Sequence, residues 1–133
     1  MTAVIGQLTV DAAEPLALAG WWAQVLGWTV HPEDGPDEVW IESAPPGNPV
    51  RQEILFVRVP DAKTGKNRLH LDLRPADDTD QATELQRLLD LGARPVDVGQ
   101  GEVPWHVLAD PEGNEFCLLR STPSQLAAML TQA

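Results

Sequence analysis

The chain is short of several things, and each shortage closes off a class of explanation. It has one cysteine, Cys117, in 133 residues, so no disulfide can form within it, which suits a reducing cytoplasm. Basic side chains are scarce, nine against twenty acidic ones, for a net charge of −11. That potential repels phosphate backbones and anionic lipid, so neither nucleic acid nor a membrane surface is expected as a partner. The acidic surface itself reads as a solubility device. No apolar run approaches the roughly 18 residues of a membrane span. Met1 leads straight into Thr2-Ala3-Val4-Ile5 without a basic segment or apolar stretch of the secretory kind, so a cytoplasmic location is expected. Tyrosine is absent while tryptophan occurs five times, and large flat side chains often line small-molecule pockets. The length predicts one domain whose core needs no metal or disulfide staple.

What is present is an internal echo. Leu26-Gly27 recurs 65 residues later as Leu91-Gly92, and Trp40 recurs as Trp105. Glu53-Ile54-Leu55-Phe56-Val57-Arg58 resembles Glu115-Phe116-Cys117-Leu118-Leu119-Arg120 at a shorter offset. Two similar halves predict two copies of one supersecondary unit, each with an apolar face that it cannot bury alone.

Periodicity fills in the units. Val4 to Val10 alternates as a strand. Asp11 to Pro15 carries helix-start signals, Leu16, Ala19, Ala23 and Leu26 follow at helical spacing, and Gly27 suits the left-handed exit. Short strands are expected at 28–30, 38–43 and 52–59, with a turn at 31–36 and a loop at 44–49. A polar joint at 60–66 precedes the repeat. Arg68 to Arg74 alternates cleanly, with Arg68, His70, Asp72 and Arg74 opposite Leu69, Leu71 and Leu73. A helix opening at 77–80 buries Leu85, Leu88 and Leu89 and stops at Gly92. Strands at 94–98, 103–109 and 115–120 follow, with Asp110 to Asn114 as a hairpin turn rather than a calcium loop. The order is strand-helix-strand-strand-strand, twice.

Four runs carry a resemblance. They are Gly20-Trp21-Trp22-Ala23-Gln24-Val25-Leu26-Gly27-Trp28, Asn67-Arg68-Leu69-His70-Leu71-Asp72-Leu73, Leu91-Gly92-Ala93, and Asp110-Pro111-Glu112-Gly113-Asn114-Glu115-Phe116-Cys117. In this order and spacing the chain resembles the glyoxalase/bleomycin-resistance/extradiol-dioxygenase superfamily, the vicinal oxygen chelate fold, over about residues 3–120. Within it, the chain is most similar to glyoxalase-like proteins of actinobacteria. The resemblance implies an α+β fold of two tandem βαβββ units forming an open, cup-shaped mixed sheet. It implies a single glyoxalase-like domain over 1–133, with unit one at about 3–59, unit two at about 67–120 and a C-terminal helix at about 123–132. It also implies a homodimer, since units in this family pair within or between chains around the active site.

Metal-using members place one ligand on the first and fourth strand of each unit. Carried onto this chain, those corners fall on Gln7, Leu55, His70 and Cys117. Only His70 is a good ligand for a hard or borderline cation, so no metal and no cofactor are expected. A one-residue slip would present Ile54, Phe56, Phe116 and Leu118 instead, which is more apolar still. His70 is either a structural imidazole or an acid/base group whose tautomer Asp72 fixes. Cys117 reads as a small buried hydrophobe. Trp40 and Trp105, on equivalent strands, are the expected aromatic lining. Trp21, Trp22 and Trp28 are accounted for by packing, and His31 and His106 fall outside the site.

The expected site therefore consists of His70 and Asp72 as catalytic candidates, with Gln7, Trp40, Leu55, Arg68, Trp105 and Cys117 as ligand-binding walls. The function this supports is small-molecule binding with a degenerate metal site, the ligand aromatic or antibiotic-like. The alternative is a lyase, isomerase or dioxygenase-type enzyme that uses His70 as acid/base or with a recruited divalent metal. Fold alone cannot choose between them, because function lives in the site.

Overall fold

The computed structural model describes residues 1–44, 48 and 50–132. Most of the loop expected at 44–49 (Pro45, Pro46, Gly47 and Pro49) lies outside the described residues. The chain divides into two units, Met1–Ala62 and Lys63–Ala133. The first holds β1 (Leu8–Ala12), α1 (Pro15–Leu26), β2 (Thr29–His31), β3 (Glu38–Glu42) and β4 (Glu53–Arg58). The second holds β5 (Asp72–Leu73), α2 (Gln81–Asp90), β6 (Arg94–Pro95), β7 (His106–Ala109), β8 (Glu115–Leu118) and α3 (Pro123–Leu130). This is an α+β fold of two βαβββ units.

The sheets repeat the same order, β1-β4-β3-β2 and β5-β8-β7-β6. In each, the first strand runs parallel to the fourth and the other pairings are antiparallel. The Leu-Gly echo has a backbone cause. Gly27 (φ 71°) and Gly92 (φ 109°) both take positive φ just after a helix, where a side chain would be strained.

In the first unit α1 packs on β3 and β4. Val39, Ile41, Ile54 and Phe56 alternate along those strands and are nearly fully buried, as are Leu18, Ala19 and Trp22 of the helix. Burying each large side chain contributes about 1.5–3 kcal/mol. The α1 stripe is rotated from the expected one, since Leu16 is 52 % exposed. Trp21 and Trp22 are buried edge to face, centroids 5.1 Å apart. In the second unit Leu88 is the buried residue of α2, with Leu85 and Leu89 half-buried. Asp80 caps α2 by accepting from the Thr83 amide at 2.8 Å, and Thr122 and Gln125 form a capping box on α3.

Several strands are shorter than their alternation predicts. β1 starts at Leu8, leaving Val4 and Ile5 exposed, and β7 starts at His106 rather than at 103. β5 keeps only Asp72 and Leu73 of the stretch expected from Arg68 to Arg74. Its upstream part leaves the ladder because Glu115 binds it differently. The Glu115 carboxylate accepts from the Asn67 amide, and its carbonyl accepts from the Asn67 side chain. His31, expected in a turn, instead closes β2 opposite Trp40.

Candidate functional site in the second unit

The pleat of β8 decides what the second sheet presents. Phe116 and Leu118 are buried in the core, and Ile54 and Phe56 do the same in β4. The alternate positions are Leu55, opposite Trp40 and Thr9, and Cys117, opposite Val107 and Asp72. On the Cys117 side lies a cleft of about 320 Å³ lined by Lys66, His70, Asp72, Trp105, Val107 and Cys117, among others.

His70 and Asp72 form a pair there, with Nδ1 2.9 Å from Oδ1. Both remain partly open to solvent, at 39 % and 46 % side-chain exposure. A carboxylate on one ring nitrogen fixes the tautomer and leaves Nε2 to face a ligand. Cys117 stands beside them. Burial pushes its thiol pKa up, the Asp72 carboxylate adds to this, and Lys66 partly opposes it. A thiol held protonated in this way is a poor nucleophile.

Glu115, one of the lining residues, is held by its neighbours. Glu115 is 7 % exposed and its Oε1 lies 2.6 Å from Lys63 Nζ. Burial pushes the Glu115 pKa up, but Lys63 and the Asn67 amide outweigh it and leave it lowered. The segment carrying Lys66 is thereby tied to β8.

Of the eight residues expected at the site, His70, Asp72, Trp105 and Cys117 line this cleft. Arg68 is exposed on the stretch before β5 and does not line it. Gln7, Trp40 and Leu55 belong to the first unit. Gln7 is exposed just before β1 and Leu55 is half-buried in β4. Trp40 is stacked under His31, centroids 4.0 Å apart. Sequence reasoning misses Lys66 and Glu115. Their only signal is two lysines in the polar joint between the halves and a carboxylate at the start of an apolar strand.

His70, Asp72 and Cys117 also place one ligand-type atom each within 4.8 Å of one another. An imidazole, a carboxylate and a thiol make a set that suits zinc better than calcium or magnesium, and three protein ligands are what an open zinc site uses.

A family model described as "Glyoxalase-like domain" matches residues 7–119. Among solved structures, the oxidase ChaP-H2 is 21 % identical, with 92 % of this chain and 98 % of that chain covered and a TM-score of 0.60. A mutant of the fosfomycin resistance protein FosX from Listeria monocytogenes, solved with Mn(II) and 1S,2S-dihydroxypropylphosphonic acid, is 16 % identical, with 98 % and 99 % covered and a TM-score of 0.64. A glyoxalase/bleomycin resistance protein/dioxygenase family enzyme from Burkholderia phytofirmans is 15 % identical, with 84 % and 94 % covered and a TM-score of 0.63. At these identities the likeness establishes the vicinal oxygen chelate fold. No curated protein matches the sequence significantly.

Proposed function

We propose, for a chain that belongs to the glyoxalase-like domain family of the vicinal oxygen chelate superfamily, that it binds a small aromatic molecule in the cleft of its second unit. The observation that carries this reading is the cleft itself. A concave site of about 320 Å³ joins a partly exposed tryptophan to a few convergent polar groups, the composition of small-molecule sites. The His70–Asp72 pair orients the ligand by hydrogen bonding, and Cys117 serves as a packing surface. Titration with small aromatic compounds, followed by tryptophan emission, tests the reading. Quenching that disappears in Trp105→Ala supports it, and quenching that persists unchanged removes Trp105 from the site.

A second reading, an enzyme with a divalent metal, is favoured by the three ligand atoms within 4.8 Å. His70, Asp72 and Cys117 would hold the cation, which would supply Lewis acidity toward a ligand oxygen. Elemental analysis of the purified protein decides between the two. Stoichiometric zinc that is lost in both His70→Ala and Cys117→Ser would replace the binding reading with the catalytic one. A homodimer in the cytoplasm is the setting proposed, and sedimentation tests the assembly.

A further inference from the structure

The acidic groups of the cleft are already engaged. Asp72 pairs with His70 at 2.9 Å, and Glu115 pairs with Lys63 at 2.6 Å while accepting from the Asn67 amide. Lys66 is different. Its ammonium donates to the Asn67 carbonyl oxygen at 3.2 Å and has no carboxylate partner among the described residues. It lines the cleft and lies close enough to Cys117 to oppose the upward push on that thiol.

Lys63 and Lys66 are the only lysines in a chain of net charge −11. An unneutralised ammonium at the rim of a cleft is therefore an exception in a field of the opposite sign. The large flat surface in the same lining is Trp105, 38 % exposed. Apolar area and a single cation in one concavity define a ligand with a ring at one end and negative charge at the other. The long-range potential of the chain repels such a ligand, so recognition depends on a contact shorter than the Debye length.

We propose that the cleft selects a small aromatic anion, with its ring against Trp105 and its carboxylate or phosphonate on Lys66 Nζ. This rests on the binding-cleft reading above and adds the charge class of the ligand. A cationic or neutral aromatic would leave Lys66 unanswered and would keep only the stacking and the hydrogen bonds to the His70–Asp72 pair.

Two isosteric probes separate the claims: 2-naphthoate, which is anionic, and 2-naphthamide, which is neutral. Each is titrated into the full chain while the tryptophan indole N–H signals are followed by NMR, with Trp105→Phe identifying the relevant one. The expected result is naphthoate binding about two- to fivefold tighter than naphthamide, as one exposed charge pair supplies. Lys66→Met should abolish that preference, and Lys66→Arg should keep most of it. Lys66 is exposed, so both variants should melt with the wild type. Equal affinity for the two probes, or a preference that survives Lys66→Met, overturns the anionic assignment while leaving the cleft as a binding site. If neither probe moves the Trp105 signal, the binding-cleft reading fails and this inference fails with it.

Discussion

The His31 ring lies flat on Trp40, with centroids 4.0 Å apart and planes 12° from parallel. The same imidazole places Nε2 2.7 Å from Oε1 of Glu42, a carboxylate only 3 % exposed at the end of β3. Arg51 reaches the other Glu42 oxygen at 3.2 Å and lies 5.8 Å from the Trp40 ring centre. A buried carboxylate is tolerable only when paired and hydrogen-bonded, and here a histidine and an arginine supply both while covering an aromatic ring.

This arrangement makes the first unit sensitive to pH. Burial alone lowers the His31 pKa, but the hydrogen bonds and charges of Glu42 and Glu33 outweigh it and leave it raised above 6.5. A raised folded-state value means that protonated His31 stabilises the fold. That contribution is complete below the unfolded value of about 6.5 and fades as pH rises through the higher folded value. On going from about one pH unit below that unfolded value to about two above it, wild type should therefore lose melting temperature relative to His31→Gln. Tryptophan emission should titrate with a midpoint above about 6.5 and flatten in that variant. A wild type and variant with parallel pH profiles would rule out the coupling.

The order of elements and both helix ends are legible in the sequence because glycine, proline and acidic punctuation act locally. Gly27 and Asp80 are examples. Strand length is not. The alternation from Arg68 to Arg74 is real, yet Asn67 bonds to Glu115 across 48 residues, and such a side-chain contact leaves no local signature. The tryptophan echo shows a similar limit. Trp40 faces Leu55, whereas the residue facing Cys117 is Val107, not Trp105. The two tryptophans therefore sit two residues apart in register, which keeps them on corresponding faces but in different rows. Local pattern puts His31 in a turn because its partner, Glu42, lies eleven residues away on a neighbouring strand. Lys66 carries no signal of its own, since a lysine in a polar joint is ordinary until a cleft is seen beside it.

The Glu115 latch should be measurable. Lys63→Met leaves a carboxylate that is 7 % exposed with the backbone amides of Asn67 and of Glu115 itself to satisfy it. The expected loss is about 1–2 kcal/mol by denaturant unfolding, at the low end for charged hydrogen bonds because Lys63 is itself partly exposed. The lowered Glu115 pKa adds stability above its unfolded value of about 4.3, lost as pH falls through the folded one. In Lys63→Met that acid-side loss should begin at higher pH. An unchanged acid limb would mean that the backbone amides alone hold Glu115.

Cys117 should be slow toward thiol reagents. It is 8 % exposed, and both burial and Asp72 hold its thiol protonated. Near neutral pH the native chain should react at least about tenfold more slowly than the urea-unfolded chain, which should release one equivalent. Asp72→Asn removes the neighbouring negative charge and should speed the native reaction without changing its stoichiometry. Fast labelling of the native wild type would instead identify an activated thiol.

Two glycines of the same helix region should respond in opposite directions to alanine. Gly20 lies within α1, and a methyl group added there meets nothing within 4 Å. Its backbone is ordinary helix, so Gly20→Ala should stabilise the chain by about 0.5–1 kcal/mol through propensity and a less flexible unfolded state. Gly27 also has open space where a methyl group would go, but its φ is +71°. Gly27→Ala should therefore cost about 1–2 kcal/mol, because the left-handed exit strains any residue with a β-carbon. Space is equal at the two sites and only the backbone angle differs. Chemical denaturation of both variants isolates that angle, and two changes of the same sign would show that α1 ends on some other device than its terminal glycine.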